Sequence, residues 1–361
     1  MSKRHHPSNV RIKRDYFAFL KEAKGHSEST VDAVASAIAG YECFTGWADL
    51  RTFSPELAAQ YKRSVLTRVH PITGEPFSSS TAYTTFGHVK RFIQWLSMQP
   101  GYRSRIKFSD AEYLNSASND ARIATAKRET VGPEMSQIMA IIGAMPHATD
   151  VDKRNRALIA FTTLTGARDA AIRTFKLKHY DEARRCIFQD AREVKTKLAK
   201  SFVTFILPVE KSLYEIFLEW VHFLRTQRDW SDEDPLFPAT KSSQEPDMLF
   251  GVGRLDRRHW ANARPICDIF RRACRKAGLQ YFNPHSFRNT LTRYGMSICH
   301  SAEEFKAWSQ NFGHDHVLTT FLSYGTVSED RQRELLEKLG ESRPDPGLEA
   351  AIRNLIEATR K

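Results

Sequence analysis

Between Gly101 and about Gly132 the 361-residue chain loses the hydrophobic periodicity that it carries on either side. It reads there as polar sequence that includes Asn115-Ser116-Ala117-Ser118-Asn119-Asp120. A helix of a globular protein needs an apolar stripe to bury, so the break separates two units with separate cores. A chain of this length holds two such units. The expected bounds are residues 1–103, a linker over 104–130, a second unit over 131–340, and a tail over 341–361.

The first unit reads as four helices. Tyr16, Phe17, Phe19 and Leu20 give a short amphipathic turn, and Val31, Val34, Ile38 and Tyr41 fall at three-to-four spacing. Ser54-Pro55-Glu56 is a helix start, with serine as N-cap and proline at the first helical position. A fourth helix from Ser79 or Ser80 puts Phe86, Val89, Phe92, Ile93 and Leu96 on one side. Its other face offers His88, Lys90 and Arg91, either a solvated basic face or a DNA-binding one.

Helical patterns resume over 133–145, 152–164 and, after Gly166, from Arg168 towards Leu177. Two strand-like runs follow, Cys186 to Val194 and Phe202 to Leu207, rich in β-branched and aromatic residues. A basic connection, Lys195-Thr196-Lys197-Leu198-Ala199-Lys200, joins them. Further helical patterns cover 209–230, 258–278, 287–296 and 302–311. The expected fold class is therefore mainly α with a small antiparallel β-sheet (α+β). The tail carries Leu348, Ile352, Leu355 and Ile356 on one face of a short helix, which docks on its own unit or on a neighbouring protomer.

Charge narrows the partner. Lys and Arg outnumber Asp and Glu by 54 to 42, for a net charge of +12. This favours a polyanion, with nucleic acid first and an anionic membrane surface second. No apolar run approaches the roughly 20 residues that span a bilayer. The basic N-terminus has no apolar stretch behind it, so no secretory signal is expected. The five cysteines are odd in number and lack a CxxC pair, which argues for reduced thiols in the cytoplasm and against a zinc site.

Several residues suit phosphate chemistry. Arg168 follows Thr165-Gly166-Ala167, where one helix ends and another begins, and a helix N-terminus favours an anion. His285 and Arg288 stand three apart, on one face of a helix, where a guanidinium fork and an imidazole reach the oxygens of one phosphodiester. Gly313-His314 offers a second imidazole. His316 invites a metal reading, but no cysteine or clustered carboxylate completes a ligand set. Tyr324 lies in an otherwise apolar run and by itself reads as a buried aromatic.

The order of these elements resembles the active-site signature of the tyrosine recombinases, the phage-integrase family: Thr-Gly-Ala-Arg, a lysine in a β-hairpin, His-Ser-Phe-Arg, Gly-His, then tyrosine. The resemblance covers roughly residues 130–330, and more weakly 10–100 as that family's helical core-binding (SAM-like) DNA-binding domain. It implies two domains forming a C-shaped clamp on DNA. By motif it assigns Arg168, His285, Arg288 and His314 to the phosphate, and Tyr324 as nucleophile. Lys195 is the lysine that fits best, with Lys197 close behind. Three departures stand out: Ala171 where an acidic residue is common, one extra residue between His314 and Tyr324, and an extended hairpin.

The implied reaction is site-specific recombination of double-stranded DNA through a 3′-phosphotyrosyl intermediate and a Holliday junction, carried out by a homotetramer. No metal or other cofactor is implied. Accessory DNA-bending or directionality proteins are possible partners. Two other readings share these residues: a type IB topoisomerase-like nicking-closing enzyme, and a DNA-binding regulatory or architectural protein without the chemistry.

Overall fold

The computed structural model describes residues 6–69, 74, 76–126, 132–241, 254–313 and 333. The chain divides into two compact units, residues 1–128 and 129–361.

The first unit is built on helices α1 (Pro7–Ala18), α2 (Glu28–Phe44), α3 (Pro55–Leu66), α4 (Ser79–Leu96) and α5 (Ser118–Thr125). Ser27, Ser54 and Ser78 cap α2, α3 and α4, each accepting from a backbone N–H three residues on, as N-cap serines do. Phe86, Val89, Phe92, Ile93 and Leu96 of α4 bury their stripe against Tyr16, Ile38, Tyr41 and Tyr61. Asn9, fully buried, ties α1 to the connection between α2 and α3: its Nδ2 donates to Ala48 O at 2.8 Å, and its Oδ1 accepts from Leu50 N at 3.2 Å.

The stretch expected as a linker contributes to this core instead. Ile106, Ala111 and Leu114 are buried in it. The last two belong to a 3₁₀ segment, Phe108–Leu114, whose threefold repeat does not display the α-helical spacing. The two units meet in sequence at residues 128 and 129.

In the second unit, α6 (Met135–Ala144) precedes α7 (Asp150–Thr165), which is buried on all sides from Ala157 to Thr165. Its three buried threonines satisfy their hydroxyls on the preceding turn: Thr162 on Leu158 O, Thr163 on Ile159 O and Thr165 on Phe161 O, at 2.7–2.9 Å. Gly166 ends α7 in the left-handed conformation, at φ 59°, where a Cβ is disfavoured. After the single turn α8 (Asp169–Ile172) come strands β1 (Tyr180–Asp181), β2 (Cys186–Gln189) and β3 (Phe202–Phe205). They form one antiparallel sheet in that order, with Cys186 opposite Phe205 and Gln189 opposite Phe202.

The rest of the unit is α9 (Lys211–His222), β4 (Ala239–Lys241), β5 (Arg254–Asp256), α10 (Arg264–Lys276), α11 (Ser286–Ile298) and α12 (Ala302–Asn311). The expected class, mainly helical with small antiparallel sheets, is the observed one. Some bounds differ. The strand expected to run to Val194 stops at Gln189, because the Asp190 carboxylate accepts from Arg192 N and turns the chain. The helix expected from Arg258 begins at Arg264, after the β4–β5 pair and with Pro265 in its first turn. Among the described residues, no helix is long and apolar enough to cross a membrane.

Candidate active site

Four of the sequence-predicted residues come together in the second unit. Arg168 is the N-cap of α8, two residues after the left-handed Gly166. His285 is the N-cap of α11, and Arg288 lies in that helix's first turn. Lys197 opens a tight turn inside the β2–β3 connection, where Leu198 and Ala199 both have positive φ. The charges of Arg288, Arg168, Asp169 and Lys197 all act on the His285 imidazole. Desolvation by the surrounding protein is the first cause that disfavours its protonated form. The three cations add to that, against Asp169, so the His285 pKa is lowered from 6.5. At neutral pH the ring is neutral, with one N–H donor and one acceptor nitrogen.

Arg288 is 2 % exposed. Its Nη1 donates to Gly166 O and its Nη2 to Phe312 O, the latter at 3.0 Å. One guanidinium thereby joins the turns that end α7 and α12. Phe312 is 1 % exposed and fills the space where Gly166 has no side chain.

Position in the motif favours Lys195 over Lys197. In the structure both lysines are exposed, and the Lys195 backbone N–H donates to Thr174 Oγ1 at 3.1 Å. It is Lys197 whose charge acts on His285. The connection is anchored at its root by Glu193, which receives Lys178 Nζ at 2.9 Å and lies 3.2 Å from His179 Nε2. Lys176 and Lys178 also bind Glu233, at 2.7 and 2.8 Å.

His314 and Tyr324 lie outside the described residues, as does His316. The approach to them is described. Asn311 Oδ1 accepts from Phe205 N at 2.6 Å and its Nδ2 donates to Phe205 O at 2.9 Å, while Thr204 Oγ1 donates to Asn311 O at 3.0 Å. Asn311 thus pairs with the edge of β3 as another strand residue would. Gly313 follows at φ 71°, with a Cβ position only 2.6 Å from the Phe202 ring. Motif reading missed Asn311 and Glu193: each is a common polar residue whose partner lies far away in sequence.

In the first unit, all three residues read as DNA contacts have intramolecular partners. Lys90 Nζ binds Glu112 Oε2 and Asn115 Oδ1, both at 2.8 Å. Arg91 Nη2 lies 2.9 Å from His88 Nδ1, and the His88 pKa is lowered by burial and by Arg91. Arg91 remains exposed. Among the described residues, no group of three or more His, Cys, Asp or Glu side chains could hold a metal ion.

No protein-family model and no curated protein matches the sequence. Solved structures match its fold. A lambda integrase dimer bound to a COC′ core site aligns over 91 % of this chain and 83 % of that one, with TM-score 0.58 and 13 % identity. Lambda integrase residues 75–356 bound to DNA align over 90 % and 96 %, with TM-score 0.55 and 14 % identity. The XerH site-specific recombinase bound to difH, in a pre-cleavage complex, aligns over 88 % and 81 %, with TM-score 0.52 and 15 % identity. The chain has the tyrosine-recombinase fold.

Proposed function

We propose that this protein is a site-specific DNA recombinase that breaks and rejoins strands through a covalent bond to Tyr324. The observation that carries this reading is the gathering of Arg168, Arg288 and Lys197 around His285. The fold, shared with integrases solved on DNA, supports it.

A tyrosine hydroxyl has a pKa of about 10 and needs help to attack phosphorus near neutral pH. Tyr324 Oη forms a bond to phosphorus and the bond to the 5′ oxygen breaks. The 3′ phosphate stays on the protein. Arg168, Arg288, His285 and His314 face the phosphoryl oxygens, where charge grows in the transition state. Neutral His285 donates an N–H to oxygen or accepts the tyrosine proton. A hairpin lysine, Lys197 before Lys195, protonates the departing oxygen. The ester keeps the bond energy, so rejoining requires no nucleotide and no metal.

The active assembly is a homotetramer on two DNA sites, as in the lambda integrase tetramer solved on a Holliday junction. Both units contact the DNA, with Arg91 of α4 among the contacts of the first. The protein then works where DNA is, in the cytoplasm at the nucleoid.

One observation favours a second reading. Arg288 is almost fully buried, with two of its donors on carbonyls, which suits a DNA-binding protein that keeps the fold without the chemistry. A nicked suicide duplex separates the two. The enzyme gives a protein–DNA adduct that survives denaturant and is lost in Tyr324→Phe. A protein that binds the duplex tightly and forms no adduct supports the second reading.

A further inference from the structure

A cleft of about 400 Å³ opens between the first half of α7 and the end of α9. Along α7, Arg156 and Gly166 are ten positions apart, about 15 Å at 1.5 Å per residue, so this cleft is separate from the Arg168 cluster. It is lined by Lys153, Arg156 and His147, and by Trp220 and Phe223, both almost fully buried. A volume of this size falls within the roughly 300–1,000 Å³ of small-molecule sites.

The two cations are uncompensated. Among the described residues neither Lys153 nor Arg156 makes an ion pair. Lys153 Nζ stands 4.6 Å over the Phe223 ring. Arg156 also lines the cleft, and its Nε is buried with no hydrogen-bond partner among the described residues. One carboxylate, Glu219, also lines the cleft. The fourth basic group there, His222, is held by Glu182 at 3.1 Å. Two cations and an imidazole against one carboxylate select an anion.

We propose that this cleft binds a small phosphate-bearing ligand. Its phosphoryl oxygens lie on Arg156 and Lys153, beside His147. A DNA backbone phosphate is the other source of the same chemistry.

The test is calorimetric titration of the full chain with adenosine 5′-monophosphate and with inorganic phosphate, beside a duplex-binding assay. Saturable binding of the nucleotide is expected. Arg156→Gln and Lys153→Gln should each weaken it about tenfold or more. Arg156→Lys should recover part of the loss, and Arg168→Gln should leave it unchanged. If either Gln variant misfolds, His147→Ala on the exposed loop gives the same reading with a smaller loss. The proposal is overturned if neither small anion binds, if binding survives both Gln substitutions, or if Arg168→Gln abolishes it. It also falls if the Gln variants weaken only duplex binding, which would make the cleft a DNA-backbone contact.

Discussion

The guanidinium of Arg288 lies 4.8 Å over the ring of Phe312 and donates from Nη2 to that residue's carbonyl oxygen at 3.0 Å. Its Nη1 binds the carbonyl of Gly166. The ends of α7 and α12 are therefore held by one side chain, and the Phe312 ring fits only because Gly166 has no Cβ. In the proposed reaction this arrangement fixes where the loop after Gly313 begins.

Gly166→Ala meets two obstacles. The position has φ 59°, and an added Cβ would stand 2.6 Å from the Phe312 ring. A left-handed alanine and an overpacked core together should destabilise the second unit by roughly 3 kcal/mol. Urea denaturation of the full chain measures this in the transition of the second unit. An unchanged midpoint would contradict the packing described.

His285 should titrate below its ordinary value of about 6.5, since crowding by the protein, then Arg288, Arg168 and Lys197, all disfavour its charged form. The unfolded imidazole takes up its proton near 6.5 and the folded one only at lower pH. Its contribution to stability is present above that range and is lost as pH falls through it. Nuclear magnetic resonance of the His285 ring reads the midpoint. Arg168→Gln should move it upward, and no movement would place Arg168 away from the imidazole.

The two hairpin lysines should differ in function. Lys197→Ala should slow strand cleavage about 10²- to 10⁴-fold, the usual range for a general acid, and Lys195→Ala should slow it less. A substrate with sulfur in place of the leaving 5′ oxygen needs no proton donor and should restore the Lys197→Ala rate. If sulfur rescues only Lys195→Ala, the assignment reverses.

Glu193 anchors the hairpin root through Lys178 and His179. Exposed ion pairs contribute little to global stability, about 0–1 kcal/mol, so Glu193→Gln should leave the unfolding free energy within that range. Its effect should appear locally, as faster tryptic cutting at Lys195, Lys197 and Lys200. Equal cutting rates would remove Glu193 from the account of how the lysine is held.

Local pattern revealed much of this molecule. The α4 stripe from Phe86 to Leu96 was legible because burial on one face leaves a 3.6-residue period. The ordering of Arg168, His285 and Arg288 along the chain was legible as a motif, and the structure gathers these three. Ala111 and Leu114 were hidden in polar sequence, since a 3₁₀ segment repeats every three residues. Strands β1, β4 and β5 are two or three residues long, too short to show alternation. Asn311 acts through the backbone of Phe205, 106 positions away, and no spacing rule reaches that far. The choice between Lys195 and Lys197 depends on how the chain turns at Leu198 and Ala199, whose positive φ values are set by the fold and not by their residue types.

The central claim is that Tyr324 bonds covalently to DNA. Trypsin should release residues 307–331 as one peptide, in which Tyr324 is the only tyrosine. Mass spectrometry of the adduct trapped on a nicked duplex should find a nucleotide 3′-phosphate on Tyr324 in that peptide. A nucleotide on any other residue, or no adduct on a duplex that the protein demonstrably binds, would contradict the account.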